Sequence, residues 1–231
     1  MIKPNLYQLS GGISHRTQWI GTSGQITTSS LRGEYIFDKN GNFAPIFGLN
    51  VVHDNISPTG ITGIYGRLGS IWGYSAPRFG VLSLGLNFGI VEYRINASEL
   101  ELVDVGDIIG QLNQSQWYPD VGLGLFYYKE FGSEYAKKGL FYAGLSAPQI
   151  LGLDLTFQDN GEYIIDRIQH YYLMTGYYHY LSSNSFFEIS TWAKYVDAAP
   201  VNVDINVRYQ QSNAFWIGLG GTINGTIHAE A

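Results

Sequence analysis

Apolar and polar residues alternate with a period of two along much of the chain. The clearest run is 201–209, in which odd positions are apolar or aromatic and even positions are polar or charged. The run 81–90 repeats the pattern, with Leu, Phe and Ile on one side and Ser, Gly and Asn on the other. Because successive side chains of a β-strand point to opposite faces, this alternation predicts strands with one apolar and one polar face.

The same alternation predicts about ten strands of the length found in membrane barrels. Turn-forming residues stand between several of them, at 38–42, 158–161 and 197–200. No segment of useful length has the period of an amphipathic helix, so the pattern predicts an all-β, antiparallel fold. The remaining strand candidates are 26–37, 47–51, 61–73, 121–125, 140–147, 171–180, 186–195 and 215–219.

Composition favours a membrane protein over a soluble domain. Charged residues make up 14 % of the chain, well below the roughly one quarter that is usual in soluble domains. Glycine, at 29 residues, and aromatic residues, at 15 %, are both abundant. No stretch reaches the roughly 18 apolar residues that a membrane-spanning helix needs. We therefore expect an antiparallel transmembrane β-barrel, which crosses a bilayer with strands that have one apolar face.

The chain shows no internal boundary, so we expect residues 1–231 to form a single outer-membrane barrel domain. Bacterial barrels commonly finish on a strand with a terminal aromatic residue, whereas the last residues here are Ile227-His228-Ala229-Glu230-Ala231. Since a sheet must close to satisfy its backbone groups in lipid, we expect the C-terminal strands of a larger, even-numbered barrel to be missing. One long acidic connection, from about Asn96 to Tyr118, predicts an extended loop or cap.

Charge and reactive residues argue against several functions. A net charge of −6 with no basic cluster argues against nucleic-acid binding. The chain has no Cys, and its five His form no zinc-binding spacing, so we expect no metal and no cofactor. His53 near Ser57 and His179 near Ser182 are candidates for a hydrolase pair, but strand ends commonly carry such polar residues. Because nothing places a base beside a nucleophile, we expect no catalytic residues and no enzyme activity.

One polar group stands out around the turn at 197–200, and we treat it as a candidate lumen-facing cluster. If this hairpin closes symmetrically, Glu188 lies opposite Arg208 and Lys194 opposite Asn202. Such pairs could line a path or receive a plug. The alternative, which we favour, is that they are cross-strand ion pairs filling a polar barrel interior. The full cluster is Glu188, Lys194, Asn202, Asp204, Asn206 and Arg208.

Five segments, in order and with similar spacing, carry a resemblance to a known family. They lie at 16–27 (beginning Arg-Thr-Gln-Trp-Ile-Gly), 53–58 (His-Asp-Asn-Ile-Ser-Pro), 113–122, 171–177 (Tyr-Tyr-Leu-Met-Thr-Gly-Tyr) and 194–219. Together they resemble the PorP/SprF-like outer-membrane proteins of Bacteroidetes over nearly the whole chain. The chain departs from that family's pattern early, where Lys3-Pro4-Asn5 replaces an Asn-Pro-Ala motif.

The resemblance implies an outer-membrane component of the type IX secretion system, which exports proteins bearing a conserved C-terminal domain and serves gliding motility. It implies a barrel that anchors the machinery or assists export of cargo to the cell surface. The partners it implies are the lipid bilayer, type IX components and the cargo proteins; it brings no catalytic residue and no cofactor. Two alternatives stay open: a channel for uptake of small or hydrophobic solutes, and a membrane hydrolase.

Overall fold

The computed structural model describes residues 8–21, 24–37, 42–73, 79–96, 114–132, 137–157, 163–165, 167–212 and 215–231. In these ranges the chain forms fourteen β-strands. No helix in the described ranges is long and apolar enough to cross a membrane. The strands are β1 Leu9–Gln18, β2 Ile26–Ile36, β3 Phe43–Ile56, β4 Thr59–Trp72, β5 Val81–Ile95, β6 Gln114–Gly132, β7 Lys137–Ala147, β8 Leu155–Phe157, β9 Tyr163–Ile165, β10 His170–Tyr180, β11 Phe186–Val196, β12 Asn202–Gln210, β13 Trp216–Thr222 and β14 Ile227–Glu230.

Twelve of the strands form one antiparallel sheet in chain order, from β1 at one edge to β14 at the other. The other two described strands, β8 and β9, form a separate hairpin between β7 and β10. The all-β, antiparallel class is thus confirmed. Within the described residues the sheet is not closed, because β1 and β14 each pair on one side only.

The predicted count of about ten strands was too low, since the described residues form fourteen. The alternation found every strand from β2 to β7 and from β10 to β13, but it missed four. β1 was missed because small and polar residues interrupt its apolar positions, and β8, β9 and β14 were missed because three or four residues are too few to show a period. The long connection predicted from Asn96 to Tyr118 is also shorter, since β6 already begins at Gln114.

Of the three predicted turns, one lies within the described residues. Residues 197–200 do connect β11 to β12 in a short hairpin, as predicted. The turn residues 38–41 and 158–161 lie outside the described ranges. Their flanking strands nevertheless pair as antiparallel hairpins, β2 with β3 and β8 with β9.

The two faces of the sheet differ because side chains alternate along each strand. At the centre of the sheet, Leu86 of β5 stands opposite Leu123 of β6, and both point to the face that we call the outer apolar face. The next pair, Asn87 with Gly122, points to the opposite side, which we call the polar face. The outer apolar face leaves large hydrophobic side chains exposed, among them Phe47, Leu49, Ile64, Leu84, Phe88, Leu123, Leu125, Leu145, Ile189, Ile205 and Leu219.

Longer connections gather at one end of the sheet. β5 and β7 end there and β6 and β10 begin there, so the connections 96–113 and 148–169 both leave from this end. We call it the long-connection rim. At this rim Val91, Ile95, Tyr118 and Leu155 form a buried apolar cluster. Leu155 belongs to the 148–169 connection, whereas the other three residues belong to β5 and β6.

Candidate functional site on the polar face

The predicted polar cluster lies on β11 and β12 in the predicted register. Glu188 pairs with Arg208 and Lys194 with Asn202, as a symmetric hairpin requires. Their side chains share one face of the sheet, since they occupy alternate positions on each strand. That this face lines a lumen stays a prediction.

Glu188 is the buried centre of this cluster. Its carboxylate accepts a charge-assisted bond from Arg208 Nη2 at 2.5 Å and a hydrogen bond from the Tyr142 hydroxyl at 2.8 Å. The Arg208 guanidinium also lies 6.0 Å from the Phe186 ring and 5.7 Å from the Trp216 ring. Tyr178 of β10 also stands opposite Glu188, so side chains of five neighbouring strands, β7, β10, β11, β12 and β13, surround one ion pair.

The rest of the predicted cluster extends from this pair toward the long-connection rim. Lys194 Nζ bonds Asp204 at 3.1 Å, one step diagonal to its backbone partner Asn202. Asn206 Oδ1 lies 2.8 Å from His228 Nε2 on β14. The Asn202 side-chain oxygen is buried without a hydrogen-bond partner among the described residues.

A further ion pair, which was not predicted from the sequence, lies on the polar face of β6. Asp120 has only 2 % of its side chain exposed, and it bonds Arg167 Nη2 at 3.3 Å and the Tyr65 hydroxyl at 3.2 Å. Arg167 is 8 % exposed and its guanidinium stacks 4.0 Å from the Tyr118 ring. Both charges are thus removed from water, a costly arrangement that persists only when the pair is well bonded.

Arg167 reaches Asp120 because the connection between β7 and β10 folds back over the polar face. Ile150 N donates to the Val121 carbonyl at 2.8 Å, and Gln169 Nε2 donates to the Ile150 carbonyl at 2.7 Å. Leu155 is 2 % exposed in the apolar cluster of the long-connection rim. We call residues 148–155 and 167–169 the cap.

The sequence contained one signal for the Asp120–Arg167 pair. Asp120 follows the alternation of β6 on the side of Tyr118 and Gly122, where an acidic side chain needs a partner. Its partner Arg167 is 47 positions away on an irregular segment, so no periodicity could identify it.

Gly122 provides a test of how closely the cap approaches the sheet. A Cβ at Gly122 would lie 2.5 Å from the Pro148 carbonyl oxygen and 2.8 Å from its Cα, whereas a Cβ at Gly124 would meet only the Leu145 oxygen at 3.9 Å. We expect Gly122→Ala to lower the free energy of unfolding by about 1 to 3 kcal/mol through overpacking. The matched variant Gly124→Ala should leave it within about 0.5 kcal/mol. Denaturant titration of both variants in lipid vesicles measures the difference, and equal stabilities would contradict the close approach of the cap.

The hydrolase candidates have other contacts. His53 Nδ1 lies 2.9 Å from Thr62 Oγ1, and Ser182 Oγ lies 2.7 Å from Ser185 Oγ. Among the described residues, no group of three His, Asp or Glu side chains is close enough to hold a metal ion.

An antiparallel sheet in chain order, with one exposed apolar face and buried ion pairs on the other, is the architecture of a membrane-embedded β-protein. The model of a protein family described as type IX secretion system membrane protein PorP/SprF matches residues 6–228, nearly the whole chain. The chain belongs to this family, and it is therefore a membrane component of the type IX secretion system. No curated protein matches the chain. The family is one of secretion-system membrane proteins and not a family of enzymes.

Proposed function

We propose that this protein is an outer-membrane barrel of the type IX machinery that anchors the machinery or assists export of cargo proteins to the cell surface. Its membership of the PorP/SprF family, across residues 6–228, is the observation that carries the proposal. Its partners on this proposal are other type IX components and cargo proteins with the secretion signal domain. The bilayer is the third partner.

The physical character of the sheet supports the placement in a membrane. Ile64 at 53 %, Leu123 at 51 % and Leu219 at 64 % exposure belong to one continuous apolar face, which water would solvate poorly and lipid chains would cover. Long connections of such barrels usually face the cell exterior. On this basis the long-connection rim faces outward and the opposite rim faces the periplasm.

The polar face is then the interior of the barrel. The predicted cluster, from Glu188 and Lys194 to Arg208, fills it with bonded charges, in agreement with the polar interiors of this class. These residues are structural on this proposal, and the surfaces that contact other machinery are the two rims.

An affinity pull-down tests the secretion role. The full-length protein is isolated from native outer membranes in mild detergent, and the co-purifying proteins are identified by mass spectrometry. Type IX components or cargo with the C-terminal signal domain should be recovered. An unrelated outer-membrane barrel with the same tag, purified in parallel, is the control. A protein that is repeatedly recovered alone would contradict the proposal.

A solute channel is the second candidate, and a cavity on the polar face favours it. The cavity measures about 980 Å³ and has both charged and aromatic walls, including Glu34, Arg67, Tyr142, Trp192 and Asn206. Single-channel conductance of the full-length protein in a planar bilayer tests this function. Steady conductance together with an empty pull-down would favour the channel over the secretion role.

A further inference from the structure

The connection between β7 and β10 covers part of the polar face at the long-connection rim. Residues at the beginning and at the end of this connection contact the sheet. Ile150 bonds the β6 backbone, Leu155 is buried among side chains of the sheet, and Arg167 bonds Asp120. Asp120 shares the polar face with Tyr65, because the register places both opposite Gly89. The cap therefore lies on the polar side of the sheet, over the end of β5 and the first half of β6.

The Asp120–Arg167 pair differs from the other ion pair on this half of the sheet. Glu34 and Arg67 also bond across the polar face, at 3.1 Å, but their side chains remain 39 % and 38 % exposed. Asp120 and Arg167 are 2 % and 8 % exposed. Removing one partner of a buried pair leaves an uncompensated charge, whereas an exposed pair contributes little. The Asp120–Arg167 pair is therefore the buried charge–charge contact between the cap and the sheet, beside the Ile150–Val121 backbone bond and the buried Leu155.

We propose that the cap is a closing element at the long-connection rim and that the Asp120–Arg167 ion pair is its latch. With the pair formed, Arg167 lies on Tyr118, Leu155 is inserted beside Val91, and the polar face is covered at this rim. With the pair broken, the buried charges favour water and the cap moves off the sheet. The inference rests on the transmembrane placement of the sheet and not on any secretion partner.

Single cysteines test whether the cap is closed, and the chain suits this approach because it has no native Cys. Leu155→Cys places a thiol under the cap, and Leu153→Cys places one two residues earlier on the same segment at a position that is 42 % exposed. The two variants are compared as folded, full-length protein in native outer membranes. A polar maleimide should label the thiol at position 155 at least about tenfold more slowly than the thiol at position 153, because labelling requires local opening. Equal labelling rates at the two positions would overturn the proposal. This comparison leaves Asp120 and Arg167 unaltered.

The latch is tested in the same Leu155→Cys background. Arg167→Met keeps an unbranched side chain but removes the charge, and we expect it to raise the labelling rate at position 155 about tenfold or more. Arg67→Met, which breaks the exposed pair on the same face, is the matched control and should leave the rate unchanged. Labelling that stays slow in Arg167→Met, or that rises equally in both variants, would overturn the role of the pair.

Two further measurements separate loss of the latch from loss of the fold. The folded fraction of each variant is measured from the mobility shift of unheated barrels in electrophoresis, and Asp120→Asn, an isosteric change, replaces Arg167→Met if the latter does not fold. Asp120→Asn should also speed labelling, because the buried Arg167 loses its counter-charge. The pull-down reports on the secretion role separately, so failure of the latch and failure of the proposed function give different results.

Discussion

We expect Arg208→Met to lower the free energy of unfolding by about 3 to 5 kcal/mol, because the buried Glu188 carboxylate would lose its counter-charge. Glu188 has only 9 % of its side chain exposed, and it would keep the Tyr142 hydroxyl as a donor but lose its cation. Methionine keeps an unbranched apolar stem at position 208 but removes the guanidinium that lies near the Phe186 and Trp216 rings. The loss therefore reports on charge more than on packing.

Arg67→Met is the control for this prediction. Arg67 bonds Glu34 with the same chemistry on the same face, but both side chains are more than one third exposed. Its removal should cost no more than about 1 kcal/mol. Denaturant titrations of both variants folded into lipid vesicles provide the comparison. Equal losses would mean that burial does not distinguish the two pairs, and that the polar face around Glu188 is open to water.

Replacing Leu123 with Arg should destabilise the folded protein in a bilayer by about 2 to 4 kcal/mol, the cost of a cation on the lipid face near the middle of a membrane. Leu123 lies halfway along β6, on the outer apolar face, and is 51 % exposed. In a soluble protein such an exposed site would tolerate Arg within about 0.5 kcal/mol. The substitution therefore distinguishes lipid from water as the neighbour of this face.

Leu153→Arg is the matched control, because Leu153 is similarly exposed but lies in the cap segment outside the sheet. We expect it to change stability by less than about 0.5 kcal/mol. Folding efficiency into vesicles and the denaturation midpoint are measured for both. If Leu123→Arg is as well tolerated as Leu153→Arg, the outer apolar face is not in contact with lipid, and the membrane placement of the sheet is wrong.

The cap and the cavity bear on the solute-channel alternative. The cavity on the polar face includes Pro148 of the cap in its wall, beside Gly124 and Tyr172 of the sheet. A closed cap would obstruct passage from this cavity toward the long-connection rim. If conductance is found, we expect it to increase when Arg167 is replaced, because the same latch would control the path.

The buried carboxylates of the polar face are bonded to other side chains of this protein. Glu188 and Asp120 each bond one Arg side chain and one Tyr hydroxyl, whereas Arg167 Nη1 and Arg208 Nε are buried without a hydrogen-bond partner among the described residues. Of the two pairs considered for hydrolysis, His53–Ser57 and His179–Ser182, the structure places His53 Nδ1 beside Thr62 and Ser182 Oγ beside Ser185. The family to which the chain belongs is one of secretion-system membrane proteins.

The sequence by itself determined most of the strands, the two faces and one hairpin register. Period-two alternation is a local property of extended backbone, so the run at 201–209 predicted β12 without knowledge of any neighbour. The short turn at 197–200 then set the pairing of Glu188 with Arg208 by counting outward. Strands without alternation or with only three or four residues, such as β1 and β14, carried too little local signal.

Only the tertiary structure decided how the β7–β10 connection folds and what Asp120 bonds. Arg167 lies on an irregular segment, and its position depends on contacts made together by Ile150, Leu155 and Gln169. Such contacts join residues distant in the chain, and no repeat in the sequence encodes them. The acidic residue at a polar-face position of β6 indicated that a partner was needed; the fold of the connection determined which residue it is.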